Sequence, residues 1–332
     1  MDVLSIDQAV DASIVDANGR ILNRKAMGED LFWAIRGGGG PSFGVILSWK
    51  LNLVRVPKTV SVFKVTKSLE QNAVEAIDQW QDLAAKDVLD KNIFIKVVLS
   101  AQNSKFTAEF LGMFLGHSEN LVPVLQDEFP LLGLSNEDCI GTSWIESTLF
   151  WYNIPLNTST RILLKRVPTP ESNVKIKSDY VKTLIPIRSG LEAISNKMTQ
   201  LGVNLYMDQW NPYGGRMAEI PSTETAFPHR AGNLWMIQYI ADWKEARDTE
   251  RYLEATREMY EFMTPYVSMS PRATFLNYRD LDIGAKVKNH TDFSYGHKYF
   301  KENFDRLIRT KTAVDPGNFF ENEQIIPTIY SM

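Results

Sequence analysis

Cysteine is almost missing from this chain: Cys139 stands alone among 332 residues, which excludes an internal disulfide framework and a cysteine-based zinc site. With no histidine near it in sequence, Cys139 reads as a small hydrophobe rather than a nucleophile. Histidine is scarce as well. His117, His229, His290 and His297 form no pair at helical ligand spacing beside carboxylates, so no metal site is expected. No apolar run approaches the roughly 18 residues of a membrane span, and no membrane partner is expected. Charge of one sign is missing too: 36 Lys+Arg against 40 Asp+Glu leave a formal charge of -4. It is spread without long runs, so nothing directs the chain toward nucleic acid or anionic lipid. A small molecule is the expected partner. The first sixteen residues, "MDVLSIDQAVDASIVD", have neither a basic start nor an apolar signal core, so the chain as written is expected in the cytoplasm.

What is present is a globular composition: 44% hydrophobic residues, with 8 Trp, 12 Tyr and 17 Phe. That suffices for one large domain or two ordinary ones. Asn157-Thr158-Ser159 and Asn289-His290-Thr291 are acceptor sequons for N-glycosylation, used only on a secretory route.

Along the chain, "DASIVDANGRILNR" alternates around Asn18-Gly19, which predicts a hairpin whose two turn residues both take positive φ. "GEDLFWAIRG" predicts a short helix stopped by glycines, and "FGVILSWKLNLV" an apolar strand. Further strands are predicted at "VSVFKVTKS", "NIFIKVVLS", "FTAEFLGMFLG", "VNLYMDQWNPYGG" and "NLWMIQYIADW". Helices are predicted with Val74, Ile77, Gln81 and Ala84 on one face, around "SENLVPVLQ" and "GLEAISNKM", and with Leu253, Thr256, Tyr260 and Met263 on one face. "ATFLNYRDLDIG" is expected to be a strand running into a turn. "YFKENFDRLIRTKTAVDP" is expected to be a helix burying Phe300, Phe304, Leu307 and Ile308 and stopped by Pro316. Strands followed by helices indicate an α+β fold, an antiparallel sheet covered on one side.

The run "RGGGGPSFG", Arg36 to Gly44, invites a phosphate-loop reading and fails it. No Gly-Lys-Ser/Thr and no G-x-G-x-x-G register is present, and a helix ends before the glycines where a phosphate loop needs one to begin after them. A helix stop with tightly packed backbone is the local reading, with a ligand edge against bare backbone left open. No G-x-S-x-G elbow supports a serine nucleophile, and His229 reads as a structural hydrogen-bonding residue. In "NYRDLDIG", strand alternation would put Tyr278, Asp280 and Asp282 on one face and Arg279 on the other. In "LWMIQY", Met236 and Gln238 share a face, and a buried Gln238 needs a partner.

Four stretches taken together, "GEDLFWAIRGGGGPSFGVILSWK", "PYGGRMAEIPSTETAFPHRAGNLWMIQY", "PYVSMSPRATFLNYRDLDIG" and "HKYFKENFDRLIRTKTAVDPGNFFENEQIIP", resemble the plant berberine bridge enzyme-like flavoproteins. The resemblance runs through essentially the whole chain. It implies a secreted family of FAD-linked oxidases whose flavin domain is split around a substrate domain, an antiparallel sheet covered by helices. On this resemblance, residues 1–58 end the first flavin-domain segment, 59–274 form the substrate domain and 275–332 return to the flavin domain. The chain resembles a C-terminal portion. It lacks most of the N-terminal flavin module, including the His and Cys that tether the flavin.

Carried over by position, Tyr278 matches the active-site base or its neighbour, and Gln238 the polar position facing it. Gly39, Gly40, Phe43, Gly44 and Asn318 match cofactor-binding positions, and Met236 and Tyr213 the substrate pocket. A carboxamide at 238 cannot accept a proton as a carboxylate does, so the resemblance points to the alcohol-oxidising branch, with an alcohol, phenylpropanoid or carbohydrate substrate and O2 as partners. Met236 stands where that branch often carries Lys. A free tyrosine titrates near about 10, so base duty for Tyr278 needs help from Arg279, from Gln238 or from the flavin's field. The alternative is a truncated, noncatalytic fragment that holds no FAD, or an interaction protein.

Overall fold

A computed structural model describes residues 4–86, 90–103, 105–166, 172–287 and 290–331; Asn289 of the second sequon lies outside them. Every strand pairing among the described residues is antiparallel. The chain divides into two compact units that alternate along the sequence: Arg55–Gly214 with Leu234–Val267, and Asp2–Val54 with Gly215–Asn233 and Ser268–Met332. Each has its own apolar core.

The second unit opens with the expected hairpin of β1 (Ala9–Val15) and β2 (Ile21–Leu22). Its turn is not the expected one. Only Gly19 takes a positive φ, 76°; the Gly19 amide donates to Asp16 O and the Asp16 amide to Arg20 O, both at 3.0 Å. This is a type I turn closed by a left-handed glycine, the three-residue solution, in which Asn18 keeps ordinary backbone. Helix α1 (Arg24–Ile35) starts a turn before the predicted "GEDLF" because Asn23 caps it, accepting from the Ala26 amide at 3.0 Å; Gly28 interrupts its regular backbone. The glycine run follows, and then β3 (Val45–Leu51) pairs with β1 to give a three-stranded sheet ordered β2-β1-β3.

The first unit carries β4 (Val60–Ser68), α2 (Ala73–Lys86), β5 (Ile93–Gln102), β6 (Lys105–Phe114), α3 (Ser118–Glu128), β7 (Cys139–Thr142) and α4 (Trp144–Trp151). It continues with β8 (Asn173–Val181), α5 (Glu192–Leu201) and β9 (Leu205–Pro212). After α6 (Arg216–Glu219), which belongs to the second unit, come β10 (Trp235–Trp243) and α7 (Thr249–Phe262). Seven strands pair in the order β7-β4-β6-β5-β9-β10-β8. Alternate residues of β5 (Ile93, Ile95, Val97, Leu99) and of β10 (Trp235, Ile237, Tyr239) meet Ile77 and Trp80 of α2, Ile194 and Met198 of α5 and Met259 of α7 in one core. The sheet is thus covered by helices on one face, as its period-two patterning requires. Gln81, the polar member of the α2 stripe, is fully buried and satisfied by both backbone groups of Ile185, at 2.8 and 3.1 Å.

One irregularity shapes the opposite face. Between the Met236↔Asn211 and Gln238↔Asp208 pairs, β9 contributes one residue more than β10, and it does the same against β5 between Val97↔Trp210 and Leu99↔Met207. The extra residue sits at Gln209, whose φ is 55°. A bulge reverses the alternation beyond it, which is why Leu205, Met207 and then Trp210, of opposite parity, all reach the same core.

The end of the chain departs from expectation twice. No strand forms over 273–282: Tyr278 lies in a turn whose amide donates to Phe275 O at 3.0 Å, and Asp280 caps a short 3-10 turn, Leu281–Ile283. The expected alternation of Tyr278, Asp280 and Asp282 therefore does not exist. After the small ladder of β11 (Lys286–Val287) and β12 (His290–Thr291), the predicted last helix is broken into α8 (Ser294–Phe300) and α9 (Phe304–Val314). Lys301, at φ 46°, marks the break. Phe300, Phe304, Leu307 and Ile308 are buried as predicted.

Candidate active site

In the first unit, the sheet face turned away from α2, α5 and α7 is covered at the β4 end, where Phe150 and Trp151 pack on Val60, Val62 and Met113. Across β5, β9, β10 and β8 it is polar and aromatic. Pairing sets Gln238 opposite Ser178 and Asp208, and Met236 opposite Tyr180 and Asn211. Lys96 Nζ donates to Asp208 Oδ1 at 3.0 Å, Gln209 Nε2 to Asp208 Oδ2 at 3.3 Å, and Asn211 Nδ2 to Gln209 Oε1 at 2.9 Å. The bulge makes this relay possible by bringing successive polar residues of β9 within reach of one another.

Three sequence-predicted residues meet on this face. The Tyr213 ring lies edge-on to Tyr180 at 5.5 Å, and its hydroxyl lies 3.9 Å from Met236 Sδ. Gln238 is 6% exposed, yet among the described residues its carboxamide makes no hydrogen bond. Asn211 Oδ1 is also buried without a partner. Buried amide groups are ordinarily satisfied; on this face Asn211 Oδ1 is an enclosed exception, while the Gln238 carboxamide atoms still reach solvent. Lys96, Asp208, Gln209 and Asn211 were missed in the sequence. The available signal was the failed alternation of "LYMDQWNP", where Trp210 breaks the parity of Leu205 and Met207.

The second unit holds the remaining candidates. Much of the glycine run is explained without a ligand: a Cβ on Gly40 would lie 2.5 Å from Ile46 Cδ1, and one on Gly44 would lie 2.4 Å from Val15 O. Phe43 is fully buried in the unit's core. Gly39 and Gly40 differ in another way. Their amides donate to nothing among the described residues, although Gly40 is buried. Lys311 fixes this corner: its ammonium donates to Ser42 O at 2.7 Å, Asp315 Oδ2 at 2.6 Å and Phe320 O at 3.0 Å. Burial pulls the Lys311 ammonium below its ordinary value against the pull of Asp315. Burial also pushes the Asp315 carboxyl up, but Lys311 and the amides of Phe319 and Phe320 outweigh it and hold the group below the usual range. The loop tied down in this way carries Asn318, at φ 54°, whose Oδ1 is buried without a partner. Among the described residues, two open backbone donors and one open side-chain acceptor thus lie on loops joined by a single lysine.

Tyr278 is half-buried on the third loop of this unit, with Phe275 edge-on at 5.2 Å. The Arg279 guanidinium is exposed and donates to Asn322 Oδ1 at 3.0 Å. The loop is anchored by Tyr299. Its hydroxyl accepts from the Asp280 amide at 3.1 Å and donates to Gln324 Oε1 at 3.0 Å, while Gln324 Nε2 donates to Asp280 O and Gly284 O at 2.8 and 2.7 Å. Burial pushes the Tyr299 phenol up to about 12, so it keeps its proton. His229, fully buried, makes a 2.8 Å contact through Nε2 with Tyr299 O, the structural role its sequence context suggested.

One unit is an antiparallel sheet covered by helices on one face, and the other, with a three-stranded sheet of its own, holds a polar corner built from loops. Comparison supports this. Residues 274–327 match the family described as "Berberine and berberine like". Berberine bridge enzyme-like 8 of Arabidopsis thaliana is 48% identical over 98% of this chain and 63% of its own length. The solved structure of BBE-like #28 from Arabidopsis thaliana superimposes with a TM-score of 0.89 at 44% identity, over 98% of this chain and 68% of that one. Berberine bridge enzyme from Eschscholzia californica gives 0.91 at 34% identity, over 98% and 67%. The chain belongs to the berberine bridge enzyme-like family, and it spans a little under two thirds of the length of the curated relatives it matches.

Proposed function

We propose that the chain is part of an FAD-dependent oxidoreductase that oxidises a hydroxyl-bearing substrate, an alcohol, monolignol or carbohydrate, with O2 as final acceptor. One observation carries the reading: Gln238, 6% exposed on the polar sheet face, has a carboxamide that makes no hydrogen bond among the described residues. The relatives point the same way. A 46% identical one is named Monolignol oxidoreductase AtBBE-like 13, and a 36% identical structure is described as a grass pollen allergen with glucose dehydrogenase activity.

Gln238 orients the substrate by donating to its hydroxyl oxygen, and being an amide it takes no proton at neutral pH. Met236 and Tyr213 give that face its apolar and aromatic boundary. By its position in the family, Tyr278 of the second unit would be the base that takes the hydroxyl proton, and the hydrogen on the carbon bearing that hydroxyl would leave as hydride to FAD, giving the carbonyl compound. FAD, when bound, supplies the hydride acceptor and the path of electrons to O2. Gly39 and Gly40 offer it backbone donors and Asn318 an acceptor.

The test is spectroscopic. Purified chain incubated with FAD and freed of unbound cofactor should retain flavin absorbance, which anaerobic coniferyl alcohol or glucose should bleach. Tyr278→Phe should keep the spectrum and slow bleaching by about 10²-fold or more. If flavin is not retained, the reading fails for this chain and the noncatalytic alternative stands; equal bleaching rates in mutant and parent would remove Tyr278 from the base role.

A further inference from the structure

On the polar face of the first unit's sheet, Gln238 has charged neighbours that the proposed chemistry leaves unused. Pairing sets Asp208 of β9 opposite Gln238 of β10, one strand spacing or about 5 Å away. Lys96 stands on the next strand, β5, on the side turned away from the core residues Ile95 and Val97. Lys96 and Asp208 form an ion pair at 3.0 Å, with side chains only 13% and 22% exposed. The pair does not exhaust either group. An ammonium carries three N–H donors, and among the described residues only one of those on Lys96 meets an acceptor. Asp208 Oδ1 accepts from Lys96 and from the Gln209 amide, whereas Oδ2 accepts only from Gln209 Nε2, at 3.3 Å.

Across three strands the face thus offers a carboxamide that both gives and takes hydrogen bonds, a carboxylate oxygen with room to accept, and an ammonium with donors to spare. The net charge of the row is zero. Its complement is a neutral molecule with several hydroxyls a few ångströms apart, because adjacent hydroxyls can donate to Asp208 while accepting from Lys96. A monolignol carries its two hydroxyls at opposite ends of a rigid aromatic frame. With one of them on Gln238, it brings carbon rather than oxygen to the ion pair and shields two charges from water without replacing their hydrogen bonds. An anion gains from Lys96 what it loses to Asp208.

We propose that Lys96 and Asp208 are specificity-determining residues: together they form a subsite for further hydroxyls of the substrate, one strand over from Gln238, and select a polyol the size of a sugar ring over an aromatic alcohol. The inference deepens the reading of this face given above and rests on it for the place of the first hydroxyl, at Gln238. The bulge at Gln209 is what puts Asp208 within reach of both Lys96 and the row of Gln238.

The experiment measures binding to the full chain, without FAD, by saturation-transfer NMR with D-glucose and coniferyl alcohol as probes. D-glucose should bind with a dissociation constant below about 50 mM. Lys96→Gln and Asp208→Asn should each weaken glucose at least about tenfold while changing coniferyl alcohol by less than about twofold. The double variant Lys96→Met, Asp208→Leu removes both charges together, so that neither is left shielded and alone; it should show the same selective loss with unchanged far-UV circular dichroism. The proposal is overturned if glucose gives no saturation transfer, if the variants hold glucose like the parent, or if they lose both probes alike, which is the outcome of a merely structural ion pair. Its failure is separate from failure of the catalytic reading, because none of these readouts needs flavin. Coniferyl alcohol that binds equally to all variants and bleaches retained flavin sinks the subsite and leaves the oxidoreductase standing; flavin that is not retained does the reverse.

Discussion

Tyr278 and Tyr299 show how placement divides one residue type into two roles. Tyr299 is buried and hydrogen-bonded on both sides of its hydroxyl, which makes it a proton-holding brace for the loop that presents Tyr278. Replacing it with phenylalanine leaves the buried Asp280 amide and the Gln324 carbonyl oxygen without their partner, an expected loss of about 1–3 kcal/mol by chemical denaturation. Its pH signature follows from the direction of the shift. The folded value, about 12, lies above the unfolded value of about 10, so the unfolded chain releases this proton first. Stability should therefore fall as pH rises from about 10 toward 12, by up to about 1.4 kcal/mol per pH unit from this group. The difference between parent and Tyr299→Phe should show that slope; parallel alkaline profiles would refute the assignment.

Among the elements, the β1–β2 hairpin and the β9 bulge are two places where local geometry overrode pattern. Asn18-Gly19 marks a hairpin in sequence, but two turn types accept that dipeptide, and the choice depends on which pair of strand residues closes the loop. Closure at Asp16 and Arg20 leaves only Gly19 in the left-handed region. Gly19→Val should cost about 1–2 kcal/mol in thermal or urea unfolding, while Asn18→Ala should stay within about 0.5 kcal/mol. A comparable loss at both positions would restore the two-residue turn. The bulge at Gln209 has a functional consequence, because without it Asp208 and Asn211 would not both share the face of Gln238 and Met236.

For the whole molecule, the near balance of charge, -4 over 332 residues with both signs interspersed, argues against electrostatic capture of the ligand. Neutral hydroxyl-bearing substrates need none. The rate of flavin reduction by such a substrate should change by less than about twofold between 50 and 200 mM salt; a steep salt dependence would point instead to an anionic ligand. The alternation of the two units along the chain is likewise a property of the whole, and composition hardly changes across Gly215–Asn233, the segment that leaves one unit for the other.

Much of this protein was legible in its residues. Period-two or apolar runs located seven of the eight longer strands, missing β8 (Asn173–Val181), period 3.6 located α2, α5, α7 and the buried face of α9, and the order helix, glycines, strand disposed of the phosphate loop, because these patterns report burial directly. Four motifs were enough to carry the family resemblance. What only the tertiary structure decided are the features set by partners distant in sequence. Tyr278 sits in a turn, not a strand, because Tyr299 and Gln324 take the backbone groups of Asp280 and Gly284 that a ladder would have used. Trp210 turns inward because β9 carries a bulge against both neighbours. Gly40 and Gly44 are glycines because Ile46 and Val15 leave no room for a Cβ, while the amides of Gly39 and Gly40 and the carboxamide of Gln238, which make no hydrogen bond among the described residues, stand out only in the folded chain. Periodicity reveals which face a residue takes; hydrogen-bond satisfaction and close packing depend on neighbours that the linear order does not name.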